Sequence, residues 1–393
     1  MKIGIFTDSF RPYTSGVVRS IELFSSEYVK MGHQVYVFGP GAPFTKSKYE
    51  TEDGVYRFFS IPAPTFSEYA IPIPVSPQLR STVKKIGLDV VHAHSPFLMG
   101  RLGARASKIF RLPLIFTFHT LYEQYVHYMP LARNTSRKVV QFIARDFCNR
   151  SDLVITPSSP VKKYVKRIGV KTDVKVLPTG IDLSEFENAD PHWLRKNYTI
   201  SDSEKILLFV GRLGKEKNVV FLLNAFKKVL ENHPLTKLVM VGSGPMKNDL
   251  VKMTRSLNME DRVVFTGLLP RNKVVHCYAG ADIFAFPSVT ETQGLVLGEA
   301  KACGLPVVAI NAFGTPDMVR KGEDGFLCSP SVNEFANKLS LLLQNEELYM
   351  RMSEKARQNS ILLSSTHCAR SMVKEYERLI SEKNRRSRTK KEA

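Results

Sequence analysis

Cysteine is sparse: five residues in 393 (Cys148, Cys277, Cys303, Cys328, Cys368), with no C-x-x-C pair among them. That spacing excludes a thiolate metal site and a disulfide framework, so the thiols are expected as buried small apolar residues. Long apolar runs are missing too. None approaches the roughly 18 residues a membrane span needs. The opening Met1-Lys-Ile-Gly-Ile-Phe6 stays apolar too briefly before Asp8 to read as a signal peptide, and a cytoplasmic protein is expected. Acid is also in short supply, with 37 Asp/Glu against 56 Lys/Arg and a formal net charge of +19. Such a balance calls for an acidic partner: nucleic acid, anionic lipid or a phosphorylated ligand. The excess is uneven. Residues 101–175 carry fifteen Lys/Arg against four Asp/Glu, and residues 383–393 carry six against one.

Short apolar runs alternate with amphipathic stretches, which predicts parallel sheets covered by helices. Strands are expected at Ile3–Phe6, Gln34–Phe38, Asp89–Ala93, Leu114–Phe118, Leu153–Thr156 and Val174–Leu177, with a helix over Val17–Met31 stopped by Gly32. The pattern restarts after Ser201, with strands at Ile206–Val210, Lys237–Val241, Arg262–Phe265, Ile283–Phe286 and Val307–Ile310. The fold class is therefore α/β, as two Rossmann-like doubly wound domains. One covers 1–180 and the other 204–360. A helix over 361–383 is placed to pack back on the first domain, and 384–393 is a basic tail. Doubly wound sheets bind ligands at the carboxyl ends of their strands, where the strand order reverses.

Three segments carry the chemistry. Asp8-Ser-Phe-Arg-Pro-Tyr-Thr-Ser-Gly-Val17 follows the first strand, and Gly16 would let the backbone of a helix N-terminus approach a phosphate. It is not G-x-G-x-x-G, which disfavours a nicotinamide dinucleotide. Gly211-Arg-Leu-Gly-Lys-Glu-Lys-Asn218 takes the matching place in the second half, where Arg212 offers a planar fork and Lys217 a compact charge, both suited to a diphosphate. The third segment runs from Phe286 to Pro306. Glu291 ends a loop after an apolar strand, and Glu299 follows on the next helix, whose start at Gln293, Gly294 and Leu295 would offer free N–H groups. One carboxylate can meet a sugar at the helix mouth while the other chelates ribose hydroxyls. His92 and His94 alternate on a strand, so they are expected on opposite faces, and no metal is assigned.

This third segment resembles the glutamate–seven residues–glutamate signature of family 4 retaining glycosyltransferases, which have the GT-B fold. The resemblance extends through Ser15-Gly16-Val17, Asp89-Val-Val-His-Ala-His-Ser-Pro96, Phe118-His119-Thr120, Leu177-Pro-Thr-Gly-Ile-Asp182, Gly211-Arg-Leu with Glu216-Lys-Asn218, and Val241-Gly-Ser-Gly-Pro245. It implies a donor nucleotide-sugar held in a cleft facing both domains. In that reading Arg212 and Lys217 hold the diphosphate and Glu299 the ribose. Glu291, with the backbone of Gln293, Gly294 and Leu295, lies by the transferred sugar. Gly16 and Val17 approach the phosphates, His119 sits near the reacting carbon or the sugar's 6-hydroxyl, and Gly267 with Leu268 and Leu269 lies toward the base. No cofactor is implied. The reaction implied is front-side substitution, with the departing phosphate accepting the acceptor's proton.

Where many members have Ser-Phe or Gly-Phe after the first glutamate, this chain has Thr292-Gln293, a form similar to the bacterial and mycoplasmal branch that glycosylates diacylglycerol. The implied donor is UDP-glucose. The charge pattern points the same way: Arg80, Lys84 and Lys85 follow the apolar loop Tyr69–Val75, and Arg137, Lys138, Lys162, Lys163, Lys166 and Arg167 lie on amphipathic stretches. These are expected to dock on the anionic inner face of the cell membrane and so bring the enzyme to a lipid acceptor. The alternatives are GDP-mannose or another donor with a soluble, cell-wall or phosphatidylinositol-type acceptor, and, more remotely, a nucleic-acid-binding module. The basic segments have neither the interleaved aromatics nor the reader motif that a nucleic-acid module needs, so no nucleic acid is expected.

Overall fold

The computed structural model describes residues 1–13, 15–43, 54–63, 66–75, 78–119 and 133–392. The chain divides into two compact units: Met1–Gly180 with Ser365–Ala393, and Ile181–Ser364.

The first unit opens with β1 (Lys2–Phe6), α1 (Gly16–Lys30), β2 (Gln34–Pro43), β3 (Val55–Ala63) and β4 (Phe66–Pro72). It continues with α2 (Leu79–Ile86), β5 (Val90–Ala93), α3 (Leu98–Phe110), β6 (Leu114–Thr117), α4 (Arg133–Arg150), β7 (Leu153–Thr156), α5 (Ser159–Arg167) and β8 (Val174–Val176). The eight strands order as β4-β3-β2-β1-β5-β6-β7-β8. All pairs are parallel except β3 with β4. Every residue of β5, β6 and β7 is buried, as expected of strands covered on both faces. Ser15 caps α1, its hydroxyl accepting from the Val18 N–H at 3.3 Å.

The second unit begins with α6 (Ser184–Glu187) and α7 (Trp193–Asn197), followed by β9 (Lys205–Val210), α8 (Val219–Asn232), β10 (Thr236–Val241), α9 (Lys247–Ser256) and β11 (Val263–Gly267). Next come α10 (Arg271–Ala279), β12 (Ile283–Phe286), α11 (Leu295–Ala302), β13 (Val307–Ile310), α12 (Thr315–Met318), β14 (Gly325–Cys328), α13 (Val332–Gln344) and α14 (Glu346–Ser360). Its sheet orders as β11-β10-β9-β12-β13-β14, parallel throughout. Residues 181–203, polar in sequence, belong to this unit because Phe186, Leu194 and Ile200 are buried in its core. The boundary thus narrows to the step from Gly180 to Ile181.

The last helix, α15 (Ser365–Glu392), belongs to the first unit. Cys368, Ala369, Met372, Val373, Tyr376 and Leu379 enter the core formed by Ile3, Ile5 and Ile115. Burying each of the larger side chains contributes about 1.5–3 kcal/mol. Glu27 of α1 accepts from the hydroxyls of Ser365 at 3.3 Å and Thr366 at 2.8 Å. The helix does not stop at residue 383. Lys and Arg are good helix formers, and Arg378 bridges Glu375 and Glu382 at i−3 and i+4, so the basic stretch continues the same helix to Glu392.

Three further expectations change. The stretch from Tyr69 to Val75 is not all loop, because up to Pro72 it is β4, an antiparallel edge strand where proline is tolerated. Cys303 is half-buried, while the other four cysteines are buried. His92 and His94 do not face opposite sides. β5 ends at Ala93, alternation lapses there, and the two rings lie 4.2 Å apart.

Candidate active site

In the second unit the strand order reverses between β9 and β12, because β10 and β11 lie to one side and β13 and β14 to the other. The turn after β9 carries Arg212 and Lys217, and the loop after β12 carries Glu291, so all three stand at the carboxyl ends flanking that reversal. The turn is locked from beside it. The Leu213 N–H donates to Ser243 O at 3.0 Å, and Gly242 and Gly244 lie so close that a Cβ on either would overlap the carbonyls of Gly211 and Leu213. The glycines of Val241-Gly-Ser-Gly-Pro245 are therefore needed for backbone approach. Arg212 is exposed and has no ion-pair partner among the described residues.

Residues 215–218 are stitched to the β12 loop. Asn218 Nδ2 donates to Pro287 O at 3.3 Å and Thr290 Oγ1 to Glu216 O at 3.3 Å. Lys217 Nζ pairs with Glu291 Oε1, which also accepts from Ser288 Oγ at 3.1 Å. Sequence reasoning gave Lys217 and Glu291 separate ligand groups and missed their mutual bond, since 74 positions separate them. Gly314 supports the loop from β13. Its N–H donates to Glu291 O at 2.8 Å, and a Cβ there would overlap Thr292 O.

Gly294, with φ +85°, turns the chain into α11, whose first turn has no side-chain cap. Gln293 is buried at this entry and Leu295 is half-buried. Glu299 lies in the second turn of α11. Its Oε1 pairs with Arg271 at 2.8 Å and its Oε2 accepts from Tyr278 at 2.8 Å, while Arg271 also reaches Glu185 at 2.7 Å. The two signature glutamates thus stand in separate networks. Arg271 and Tyr278 carry no sequence signal, because only the tertiary fold brings these α10 side chains to Glu299 of α11. Gly267, with φ +72°, ends the edge strand β11, and Leu268 beyond it is 84% exposed.

In the first unit the order reverses between β1 and β5. Gly16 is exposed at the start of α1, with Val17 half-buried beside it, and a Cβ on Gly16 would meet nothing within 4 Å. The protein's own packing therefore does not require glycine there. Asp8, whose role the sequence left unread, is buried across the reversal. It accepts from Ser95 Oγ and from the Met99 N–H at 3.0 Å, holding the entry to α3. Burial raises its pKa against these hydrogen bonds. Asp8 lines a cavity of about 490 Å³ together with Ile71, Pro72, Phe97, Leu98, Arg101 and Ile143.

His119 follows β6, and its Nε2 lies 2.8 Å from His94 Nδ1. Thr120 lies outside the described residues. His94 Nε2 is buried and has no hydrogen-bond partner among the described residues. A bare lone pair is more readily left there than an orphaned N–H. That assigns the proton to His94 Nδ1, donating to His119 Nε2, and leaves the proton of His119 on Nδ1. His92 is fixed by Tyr376 at 2.6 Å and Thr117 at 2.7 Å. Burial pushes the pKa of His92 down to about 3 and that of His119 to about 4, and holds His94 well below its ordinary value. The unfolded chain protonates His92 and His119 near pH 6.5, the folded protein only near pH 3 and pH 4. Their stability contribution is complete above pH 6.5 and is lost as pH falls toward 4. A His92→Gln protein should lose less stability than wild type over that range, the slopes differing by up to about 1.4 kcal/mol per pH unit. Identical slopes in urea unfolding series at stepped pH would contradict this.

The basic stretches lie outside these sites. Arg80, Lys84 and Lys85 are exposed on α2, above buried Val83 and Ile86. Arg137 and Lys138 are exposed on α4 near exposed Val139 and Phe142. On α5, Lys163, Lys166 and Arg167 are exposed and Lys162 is half-buried. No helix among the described residues is long and apolar enough to cross a membrane.

Two family descriptions match the chain: "Glycosyltransferase Family 4" over residues 14–185 and "Glycosyl transferases group 1" over residues 193–359. Alpha-monoglucosyldiacylglycerol synthase of Streptococcus pneumoniae is 35% identical over 79% of this chain and 71% of its own length. The protein of the same name from Acholeplasma laidlawii is 30% identical over 91% of this chain and 92% of its own length. Among solved structures, Anabaena Alr3699/HepE in complex with UDP superposes with a TM-score of 0.77 at 22% identity, over 96% of this chain and all of that one, a likeness of fold.

Proposed function

The chain belongs to glycosyltransferase family 4, and on that premise we propose that it transfers glucose from UDP-glucose to 1,2-diacylglycerol with retention, forming an α-glucosyl lipid. It is a hexosyltransferase with the GT-B fold. The observation that carries the lipid reading is the apolar cavity of Ile71, Pro72, Phe97, Leu98 and Ile143, which opens beside Asp8 at the strand ends of the first unit. Its walls suit acyl carbon next to a glycerol hydroxyl and offer little to a soluble sugar. The names of the two relatives support the same acceptor class.

The donor diphosphate lies against Arg212 and Lys217. Its arrival draws Lys217 from Glu291, and both cations then offset the charge that builds on the leaving group. Glu291 Oε2 has no partner among the described residues and accepts from a sugar hydroxyl. The N–H groups of Gln293, Gly294 and Leu295 face the donor. Glu299 keeps spare lone pairs after binding Arg271 and Tyr278, and these take the ribose hydroxyls. Neutral His119 donates from Nδ1 to the sugar. The C1–oxygen bond to the diphosphate breaks as the glycerol oxygen bonds to C1 on the same face, and the glycerol proton passes to the departing phosphate oxygen.

The exposed cations of α2, α4 and α5 hold the protein on an anionic leaflet, each contributing about 1 kcal/mol near the surface. Radiolabelled UDP-glucose and GDP-mannose, each offered with diacylglycerol micelles, inositol phosphate and soluble sugars, test the proposal. Transfer from UDP-glucose to diacylglycerol is expected. Transfer only from GDP-mannose overturns the donor, transfer only to a soluble acceptor overturns the lipid reading, and either leaves the family intact. Ile143→Glu should raise the KM for diacylglycerol by about 10-fold or more and leave that for the donor unchanged, since it puts a charge in an apolar wall.

A further inference from the structure

A second cavity, of about 1370 Å³, opens between α3, α4 and the last turns of α15. Arg111, Leu114, Arg150 and Asp152 lie where α3 and α4 hand over to β6 and β7. That is the amino edge of the sheet, the opposite end from Asp8, His94 and His119. Eight Arg and Lys side chains line the cavity against two Asp. Both carboxylates are already engaged: Asp146 by Arg150 at 3.0 Å and Arg101 at 4.0 Å, Asp152 by Lys383 at 2.8 Å. No carboxylate pairs with Arg105, Lys108, Arg111, Arg385 or Arg386 among the described residues. A concave wall of one sign over a low-dielectric body concentrates anions.

The tail of α15 adds a second argument. Its last apolar residue packed on the core is Ile380, and residues 381–392 include no large apolar side chain. Hydrophobic burial therefore cannot hold Arg385 and Arg386 beside the cations of α3, and like charges brought together there need a counter-charge.

We propose that this cavity binds a ligand bearing a multiply charged phosphate group, which bridges Arg105 of α3 and Arg111 just beyond its end to Arg385 and Arg386 of α15. Guanidinium forks match phosphate oxygens in pairs, and the wall supplies several. The phosphate comes either from a free phosphorylated molecule or from the head group of an anionic lipid. The site is separate from the donor diphosphate site of the second unit and does not rest on the acceptor reading.

The test is calorimetric titration of the full chain with two probes: inorganic pyrophosphate, and dibutyryl phosphatidic acid, which carries a lipid head group without forming a surface. The comparison protein combines Arg105→Gln, Arg111→Gln and Arg386→Gln. All three side chains are exposed, so it should keep the wild-type melting temperature. Its affinity should fall by about 10-fold or more, and Arg→Lys at the same positions should recover only part of the loss, since lysine restores the charge and not the fork. Loss confined to pyrophosphate assigns a soluble ligand; loss confined to phosphatidic acid, or larger for it, assigns the lipid head group. Arg212 and Lys217 are unchanged in this protein, so pyrophosphate bound there persists and only the difference is read. If wild type binds neither probe, or the triple variant binds both as wild type does, the proposal is overturned.

Discussion

Arg212→Ala should lower the turnover of sugar transfer by about 100- to 1000-fold while leaving the melting temperature where it is in wild type. The two halves of this expectation have separate causes. Arg212 is exposed and makes no ion pair among the described residues, so the resting fold gives up little when it is removed. The turn beneath it is held by backbone bonds of Gly211 and Leu213, which survive the change. What is lost is a fixed guanidinium at the strand reversal, where negative charge builds on the leaving diphosphate. Lys217→Ala is a less clean probe, because it also strips the half-buried Glu291 of its cation. Steady-state kinetics beside thermal melts separate the cases. A loss of less than about 5-fold for Arg212→Ala would place the diphosphate elsewhere.

Gly100→Ala should produce the largest loss of stability of any single methyl addition in the first unit. A Cβ at Gly100 would overlap the carbonyl oxygen of Ser95, a backbone atom that no rotamer change can move aside. Next along α3, a Cβ at Gly103 would lie 2.7 Å from the ring of Phe6. The helix therefore rests directly on β1 and the turn after β5, with Asp8 holding its entry. Pushing it off should cost about 3 kcal/mol or more, roughly 6–12 °C in melting temperature for a unit of this size. Gly16→Ala is the contrasting control: a Cβ there meets nothing within 4 Å among the described residues, so stability should hold while the KM for the donor rises. Equal melting temperatures for wild type and Gly100→Ala would show that α3 can shift without loss.

The apolar runs of β1, β5, β6, β7, β9, β10, β12 and β13 were legible in the sequence because buried parallel strands must be apolar on both faces. β3 and β4 were not, since Pro62, Pro72 and Pro74 make that stretch read as loop and an edge strand tolerates them. β14 is four residues long and begins with Gly325, too little for periodicity to register. At the site, residue types and order pointed to Arg212, Lys217, Glu291 and Glu299, but the partners of the last three were hidden. Lys217 with Glu291, and Arg271 with Glu299, meet only through tertiary packing. The histidine pair misled because alternation was carried one residue past the end of β5. The basic tail was visible as charge, while its place beside α3 and α4 depends on where α15 docks.

The most direct test of the central claim is the proton NMR spectrum of the product formed from UDP-glucose and diacylglycerol in mixed micelles with anionic lipid, in which the H1 coupling reports the anomeric configuration. The account predicts an α-glucosyl diacylglycerol formed by wild type and nearly absent with Arg212→Ala. A β-linked product, or an α-linked one formed equally well by the variant, would contradict it.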